Sequence, residues 1–222
     1  LAKFRRNLVL KNLFDNKYID AKLYQKLQNE KIYLNKSKKI YLEDSQYYIE
    51  DVRKSVVDSF TYEKVYKQGF NINTPINLKL QKIATQVLRD GLISYDKRKG
   101  WRGALFNKDY SENWNDNLEK FNLENSINWH LAIVKKVNKF SAQIETEDKL
   151  NGKIAYSDIS WSKKEFEELI KVGDIIYVKK IDGNNYSLKQ LPKVNGGIVV
   201  MDPFTGRVLA LSGGFSFKKS EF

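Results

Sequence analysis

The chain has 222 residues, 41% hydrophobic and 13% aromatic, which is enough to enclose a core, and it carries a net charge of +12. It has no cysteine and one histidine, His130, which excludes a disulfide framework, a thiol nucleophile and any cysteine-based or multi-histidine metal site, so no cofactor is expected. No run of about 18 apolar residues occurs and no charged-then-apolar stretch opens the sequence, so the signal of an exported or membrane-anchored parent is expected upstream; starting at Leu1, with its only methionine at Met201, the sequence is expected to be a piece of a longer chain.

The opening stretch LAKFRRNLVLKNLFDNKYIDAKLYQKLQNEKI places Phe4, Leu8, Leu10, Leu13 and Phe14 at helical spacing. A second helix follows, with Asp20 as N-cap for Leu23, Tyr24 and Leu27. The pair reads as a packed helical hairpin; a DNA-reading helix-turn-helix is set aside because no cluster of base-reading side chains begins the second helix. A third helix is predicted over 45–60, with Ile49, Val52 and Val56 on one face. After Gly69 the alternation of Phe70 and Ile72 predicts a strand broken at Pro75, then a helix capped by Asn77. Its stripe of Leu80, Ile83, Ala84, Val87 and Leu88 predicts the buried face, with an end at Gly91.

From about residue 128 the period changes to alternation. WHLAIVKKV, FSAQIETE, GKIAYSDI, DIIYVKKI and NYSLKQL read as five strands, with a short helix over 163–170 between the third and fourth, the order of an OB-like barrel. Two more strands, 197–201 and 207–211, flank the turn Asp202-Pro203-Phe204-Thr205-Gly206. The fold class expected is α+β, a helical N-terminal segment followed by an OB-like five-stranded β-barrel and a β-hairpin.

The charge points to an anionic partner such as nucleic acid, anionic lipid or polymer. A compositional bias toward Lys, Asn, Ile and Tyr is the preferred reading, because no basic block exceeds pairs such as Lys38-Lys39 and Lys135-Lys136. Ser216 and Lys219 form a Ser-x-x-Lys, the spacing by which a lysine one helical turn on activates a serine. Here the serine sits in GGFSFKK, where Phe215 and Phe217 alternate around it, so a strand or loop is expected rather than a nucleophile. Ser111-Glu112-Asn113 and Ser126-Ile127-Asn128 match the Ser-x-Asn of such enzymes but precede the serine, and no Lys-Thr-Gly or Lys-Ser-Gly exists, so both are read as chance. Glu43-Asp44 could be half of a carboxylate pair for glycosyl chemistry but sits where a helix start carries acids. His130, with no carboxylate near it in sequence, reads as structural. Trp129, Phe140, Tyr156, Trp161 and Tyr177 could stack on bases or simply pack the core. No catalytic, cofactor-binding or metal-binding residue is therefore assigned.

Several separated stretches resemble one family. RRNLVLKNLFDNKYID looks like the end of a peptidoglycan glycosyltransferase domain, with its aromatic-Ile-Asp turn at Tyr18 to Asp20. INTPINLKLQKIATQVLRDGLISYDKRKGWRG carries the Tyr-Asp-x-Arg-x-Gly-Trp-Arg-Gly signature at Tyr95 to Gly103, and LPKVNGGIVVMDPFTGRVLALSGGFSFKKSEF is similar to the opening hairpin of a transpeptidase domain. Together they resemble the class A penicillin-binding proteins of the 1A type. One departure is NTPIN, where that family usually has Thr-Thr-Ile-Asp.

The resemblance implies four segments: 1–40 the last glycosyltransferase helices, 41–91 the linker and first helix of the transpeptidase region, 92–193 the OB-like insert, and 194–222 the start of the transpeptidase domain. It implies that the parent polymerises lipid II, cross-links stem peptides through a serine acyl-enzyme and is blocked by β-lactams. It places the nucleophilic serine beyond Phe222 and the glycosyltransferase Glu-Asp motif before Leu1, Glu50 standing where that motif needs a histidine after Glu43-Asp44. It further implies a membrane anchor upstream, this region on the periplasmic side of the inner membrane, a spacer role, and an outer-membrane lipoprotein activator docking at the OB-like insert. The competing reading is a stand-alone basic OB protein binding single-stranded nucleic acid.

Overall fold

The computed structural model describes residues 2–31, 42–109, 114–116, 118–162 and 164–220. The chain divides into two compact units, Leu1–Tyr41 and Leu42–Phe222. In the first, α1 (Ala2–Asp15) and α2 (Ala21–Asn29) form the predicted helical hairpin. Asp20 caps α2 by accepting from the Leu23 N–H at 2.7 Å. Arg6, near the start of α1, donates to the carbonyls of Gln28 in the last turn of α2 and of Glu30 just past it, so the helices run antiparallel. Phe14 stacks on Tyr24 with ring centroids 5.0 Å apart.

The second unit begins with a 3-10 turn over Glu43–Ser45 that leads into α3 (Gln46–Phe60). Thr61, at φ 70°, breaks the helix, and α4 (Tyr62–Gln68), which the apolar pattern did not disclose, follows at once. The strand predicted at Phe70 and Ile72 is not one: residues 70–77 belong to no helix or strand, and at their end the Asn77 N–H reaches the Leu209 carbonyl at 2.8 Å. Alternation marks a half-buried surface, and here Phe70 gains its cover from Phe60, ring to ring, rather than from a neighbouring strand.

Helix α5 (Leu78–Lys97) starts as predicted, with Asn77 Oδ1 accepting from the N–H groups of Lys79 and Leu80 at 3.1 Å each. It runs six residues beyond Gly91, where it was expected to stop. Its buried face is also not the apolar stripe: Ile83 and Val87 are 58% and 56% exposed, while Gln81, Ala84, Thr85, Arg89, Leu92 and Asp96 are buried. The polar members of that face are paired with backbone carbonyls and side chains elsewhere in the unit, which removes the cost of burying them.

The barrel comprises β2 (His130–Asn138), β3 (Ser141–Thr146), β4 (Asn151–Ala155), β5 (Asp174–Asp182) and β6 (Asn185–Lys189). All five begin within a residue of where the alternation put them, but the third, read over 152–159, ends at Ala155 and turns away. A two-residue β1 (Phe106–Asn107), too short to leave a pattern, adds to β5. The order β5-β2-β3-β4-β6 closes through β5–β6, and the β4–β6 pair is parallel while the others are antiparallel. This closure is the OB arrangement. The helix predicted over 163–170 is shorter, α6 (Phe166–Leu169), and is preceded by 3-10 turns at Tyr156–Asp158 and Ser160–Ser162.

Strands β2 and β5 are buried on both faces. Ala132, Val134, Ile176 and Val178 fill the barrel with Phe166, Ile154 and Leu188. Leu131, Ile133, Ile175 and Tyr177 face outward into a second core with Leu92, Trp114, Leu123 and Phe215. That second layer explains the near-continuous apolar runs of these two strands.

The hairpin β7 (Ile198–Met201) and β8 (Val208–Ser212) turns through Asp202, whose carboxylate accepts from the N–H groups of Phe204 and Thr205. These bonds hold the Asp202 carboxyl below the usual carboxylate range. Gly206 takes the positive φ, 69°, that closes the turn. The free edge of β8 lies against α5: Gln81 Nε2 donates to the Leu211 carbonyl and Gln81 Oε1 accepts from the Leu211 N–H, both at 2.9 Å.

Candidate functional site at the neck of the barrel

The barrel is spliced between α5 and β7, so the chain crosses its neck twice. Both crossings are fastened to one carboxylate. Asp96, buried in the last turn of α5, accepts from Arg102 Nη1 on both oxygens at 2.8 Å, from Gln190 Nε2 at 2.8 Å and from the Lys193 N–H at 3.1 Å. Arg102 also donates to the Leu191 carbonyl, and its own N–H is accepted by Gln190 Oε1 at 2.9 Å, which ties the outgoing strand directly to the incoming one. Gly100 and Gly103 have φ of 80° and 106°, the conformation that turns the chain out of α5, and between them Trp101 donates from Nε1 to the Leu169 carbonyl at 2.9 Å. The Asp, Gly, Trp, Arg and Gly of the signature at Tyr95 to Gly103 thus each have a place in this clamp.

A second polar junction joins α5, the turn before α3 and the tail after β8. Arg89 is buried and donates to the Phe215 carbonyl at 2.9 Å, Ser126 Oγ at 3.0 Å and Asp44 Oδ1 at 3.3 Å. Ser126, set aside in sequence as a chance match, is thus a partner of a buried guanidinium, and Asp44 its counter-ion rather than a glycosyl acid. Of the other chance match, 111–113 lies outside the described residues, and so does the side chain of Glu43. Glu50 pairs with Arg53 at 2.7 Å, and this hydrogen bond lowers its pKa.

Ser216 is buried in this junction. Its Oγ donates to Glu124 Oε2 at 2.7 Å and accepts from the Lys219 N–H at 3.3 Å. The Lys219 amine instead donates to the Lys120 carbonyl, and burial lowers its pKa. The lysine therefore meets the serine through its backbone and not its ammonium, and no approach to the hydroxyl is open: this is a loop anchor, not a Ser-Lys pair poised for acylation. The two glycines ahead of it admit Tyr47, since a Cβ at Gly214 would stand 2.5 Å from the phenol oxygen. That phenol donates to the Ser216 carbonyl at 3.0 Å, and burial raises its pKa.

His130, which has no carboxylate near it in sequence, has two near it in space, both beyond hydrogen-bond distance. The β3–β4 turn brings Glu147 and Asp148 within 3.8 and 3.9 Å of its Nδ1. They line a cleft of about 430 Å³ with Glu124, Trp129 and Lys218. Burial raises the Glu147 pKa, opposed by a hydrogen bond from the Leu131 N–H. The barrel aromatics do not form one platform: Trp161 packs against the barrel interior, Trp129 and Tyr177 belong to the outer core, and Phe140 and Tyr156 are exposed. Among the described residues no three His, Cys, Asp or Glu side chains gather as metal ligands, and no helix is long and apolar enough to cross a membrane.

The family described as Penicillin-binding protein OB-like domain matches residues 101–194, from the tryptophan of the neck to the far side of the clamp. Penicillin-binding protein 1A of Rickettsia prowazekii is 34% identical over 226 residues, covering 100% of this chain, and that of Escherichia coli is 26% identical over 238 residues with the same coverage. The crystal structure of penicillin-binding protein 1A from Haemophilus influenzae superposes with a TM-score of 0.69 over 99% of this chain at 28% identity. The chain carries a penicillin-binding protein OB-like domain and is similar along its whole length to penicillin-binding proteins 1A. It spans 28% of the Rickettsia relative and 33% of the Haemophilus structure.

Proposed function

We propose that this chain is the non-catalytic central region of a bifunctional penicillin-binding protein, holding a lipid II polymerising domain and a stem-peptide cross-linking domain at a set separation. In this reading 1–40 closes the glycosyltransferase, 41–91 links it to the transpeptidase region, 92–193 is the OB-like insert and 194–222 opens the transpeptidase, whose acyl-enzyme β-lactams trap. The parent is anchored in the inner membrane with this region on the periplasmic side, and an outer-membrane lipoprotein activator docks on the insert.

The observation that supports a spacer is the Asp96 clamp. Both crossings of the neck hang on one buried carboxylate of the helix that also carries the β8 edge, so barrel and hairpin share a single support. The nucleic-acid alternative is not favoured, since Trp161, Trp129 and Tyr177 are divided between two cores and leave only Phe140 and Tyr156 exposed to meet a base. The test is Asp96→Asn in the full-length protein, assayed for glycan polymerisation and for cross-links per glycan strand. Polymerisation is expected to persist while cross-linking falls several-fold; an unchanged ratio, with the neck shown to be loosened, refutes the spacer reading.

A further inference from the structure

The other wall of α5 holds a cleft that the clamp does not use. It has a volume of about 510 Å³ and lies between one face of α5, carrying Gln86, Asp90, Ser94 and Lys97, and the outer face of the β5–β6 pair. Lys179 stands opposite Ser187 and Lys189 opposite Tyr177 in that register, so the two lysines are diagonal neighbours on one face. Four cationic side chains, Arg89, Lys97, Lys179 and Lys189, line the cleft against one carboxylate, Asp90. Arg89 is committed to Phe215 and Asp44, and Lys97 lies over the Trp161 ring. The amines of Lys179 and Lys189 make no hydrogen bond or ion pair among the described residues.

Burial, then repulsion from Lys97 and Lys179, lowers the pKa of Lys189 against the weaker opposing pull of Asp158 and Asp90. Four cationic side chains against the single carboxylate of Asp90 leave the concavity with a positive excess, which raises the local concentration of anions. The far side of the cleft limits what the anion can be. Past the shared Asn128 and Trp129 lies the cleft of Glu124, Glu147 and Asp148, which repels a long polyanion laid across both.

We propose that this cleft binds the carboxylate end of a short peptide, the three lysines holding the oxyanion while the Gln86 and Asn128 amides and the Ser94 hydroxyl meet peptide groups. Resting on the cell-wall reading above, the peptide is a peptidoglycan stem peptide, held on the insert apart from any catalytic centre.

The test is calorimetric titration of the 222-residue chain with a disaccharide-tetrapeptide, with the same compound amidated at its carboxyls, and with inorganic phosphate, each at low and high salt. The disaccharide-tetrapeptide is expected to bind, at least tenfold more weakly in Lys179→Gln/Lys189→Gln and more weakly in high salt, and the amidated compound is expected not to bind. Equal binding of the amidated compound, phosphate binding alone, or no binding at all overturns the proposal. Lys179 is exposed and Lys189 half-buried in the cleft wall, neither of them filling the barrel interior, and because glutamine removes their mutual repulsion the double variant is expected to melt no lower than the parent chain, which separates lost binding from lost folding. Because the readout is binding and not polymer synthesis, its failure leaves the spacer reading standing, and failure of the Asp96 assay leaves this one standing.

Discussion

Replacing Asp96 by alanine removes the acceptor of four hydrogen bonds at once. The Arg102 guanidinium, 24% exposed as a side chain, keeps its bond to the Leu191 carbonyl but loses its counter-ion; the Gln190 amide keeps the Gly100 carbonyl, and the Lys193 N–H loses its partner. Breaking a fully buried pair from one side costs about 3–5 kcal/mol. The partial exposure of Arg102 lets water recover some of this, so about 3 kcal/mol is expected. For a unit of this size that is a fall in Tm of roughly 6–12 °C. Thermal unfolding of the 222-residue chain followed by circular dichroism reads it, with Asp90→Ala as the control, since Asp90 is exposed on the same helix and among the described residues accepts from Gln86 alone. Limited proteolysis should open first at the neck. A loss below about 0.5 kcal/mol, the range of ordinary surface substitutions, would refute the clamp.

Glu147→Gln tests the second cleft. Burial raises the Glu147 pKa above its unfolded value, so the stability it contributes is full below about pH 4.3 and is lost as pH rises through the folded value. The variant is expected to melt higher than the parent at pH 7, the gain shrinking toward pH 4; a lower Tm at pH 7 contradicts the sign. Ser216→Ala should cost about 1–3 kcal/mol, by leaving Glu124 short of a donor, yet leave penicillin labelling of the full-length protein intact; loss of labelling in a folded variant would return Ser216 to the chemistry. Gly152→Ala drives a Cβ to 2.5 Å from the buried Tyr186 ring, and overpacking of this kind should cost about 1–3 kcal/mol in chemical denaturation; a neutral result would mean the ring swings aside freely.

The barrel was legible because each of its five strands carries its own burial pattern, and the runs in β2 and β5 reflect a layer on each face. The buried face of α5 was not legible. Apolar periodicity selected Ile83 and Val87, whereas Gln81 and Arg89 turn inward because carbonyls at Leu211 and Phe215, more than 120 positions along the chain, receive their donors. Partners so distant leave no period in the sequence, and a polar residue on a predicted helix reads as solvent-facing until they are placed. The neck was visible only as a motif. Tyr95 to Gly103 could be matched to a family, but Gln190 and the Lys193 N–H, which complete the Asp96 shell, carry no local signal. His130 fails in the same way, since its carboxylates arrive through the β2–β3 pairing rather than along the chain.

Gln81 also has a consequence for growth of the small sheet. By presenting an amide oxygen and an amide N–H to Leu211, it reproduces the bonding of a neighbouring strand with a single side chain, and the Asn77 N–H does the same for the Leu209 carbonyl. The outer margin of β8 is thereby closed to strand addition, as a stray peptide would have to displace a wholly buried glutamine. The opposite margin, along β7, meets no such plug among the described residues. Enlargement of this sheet would thus be directional: any third strand would have to enter beside β7 and make it central, while β8 stays the rim on which α5 rests.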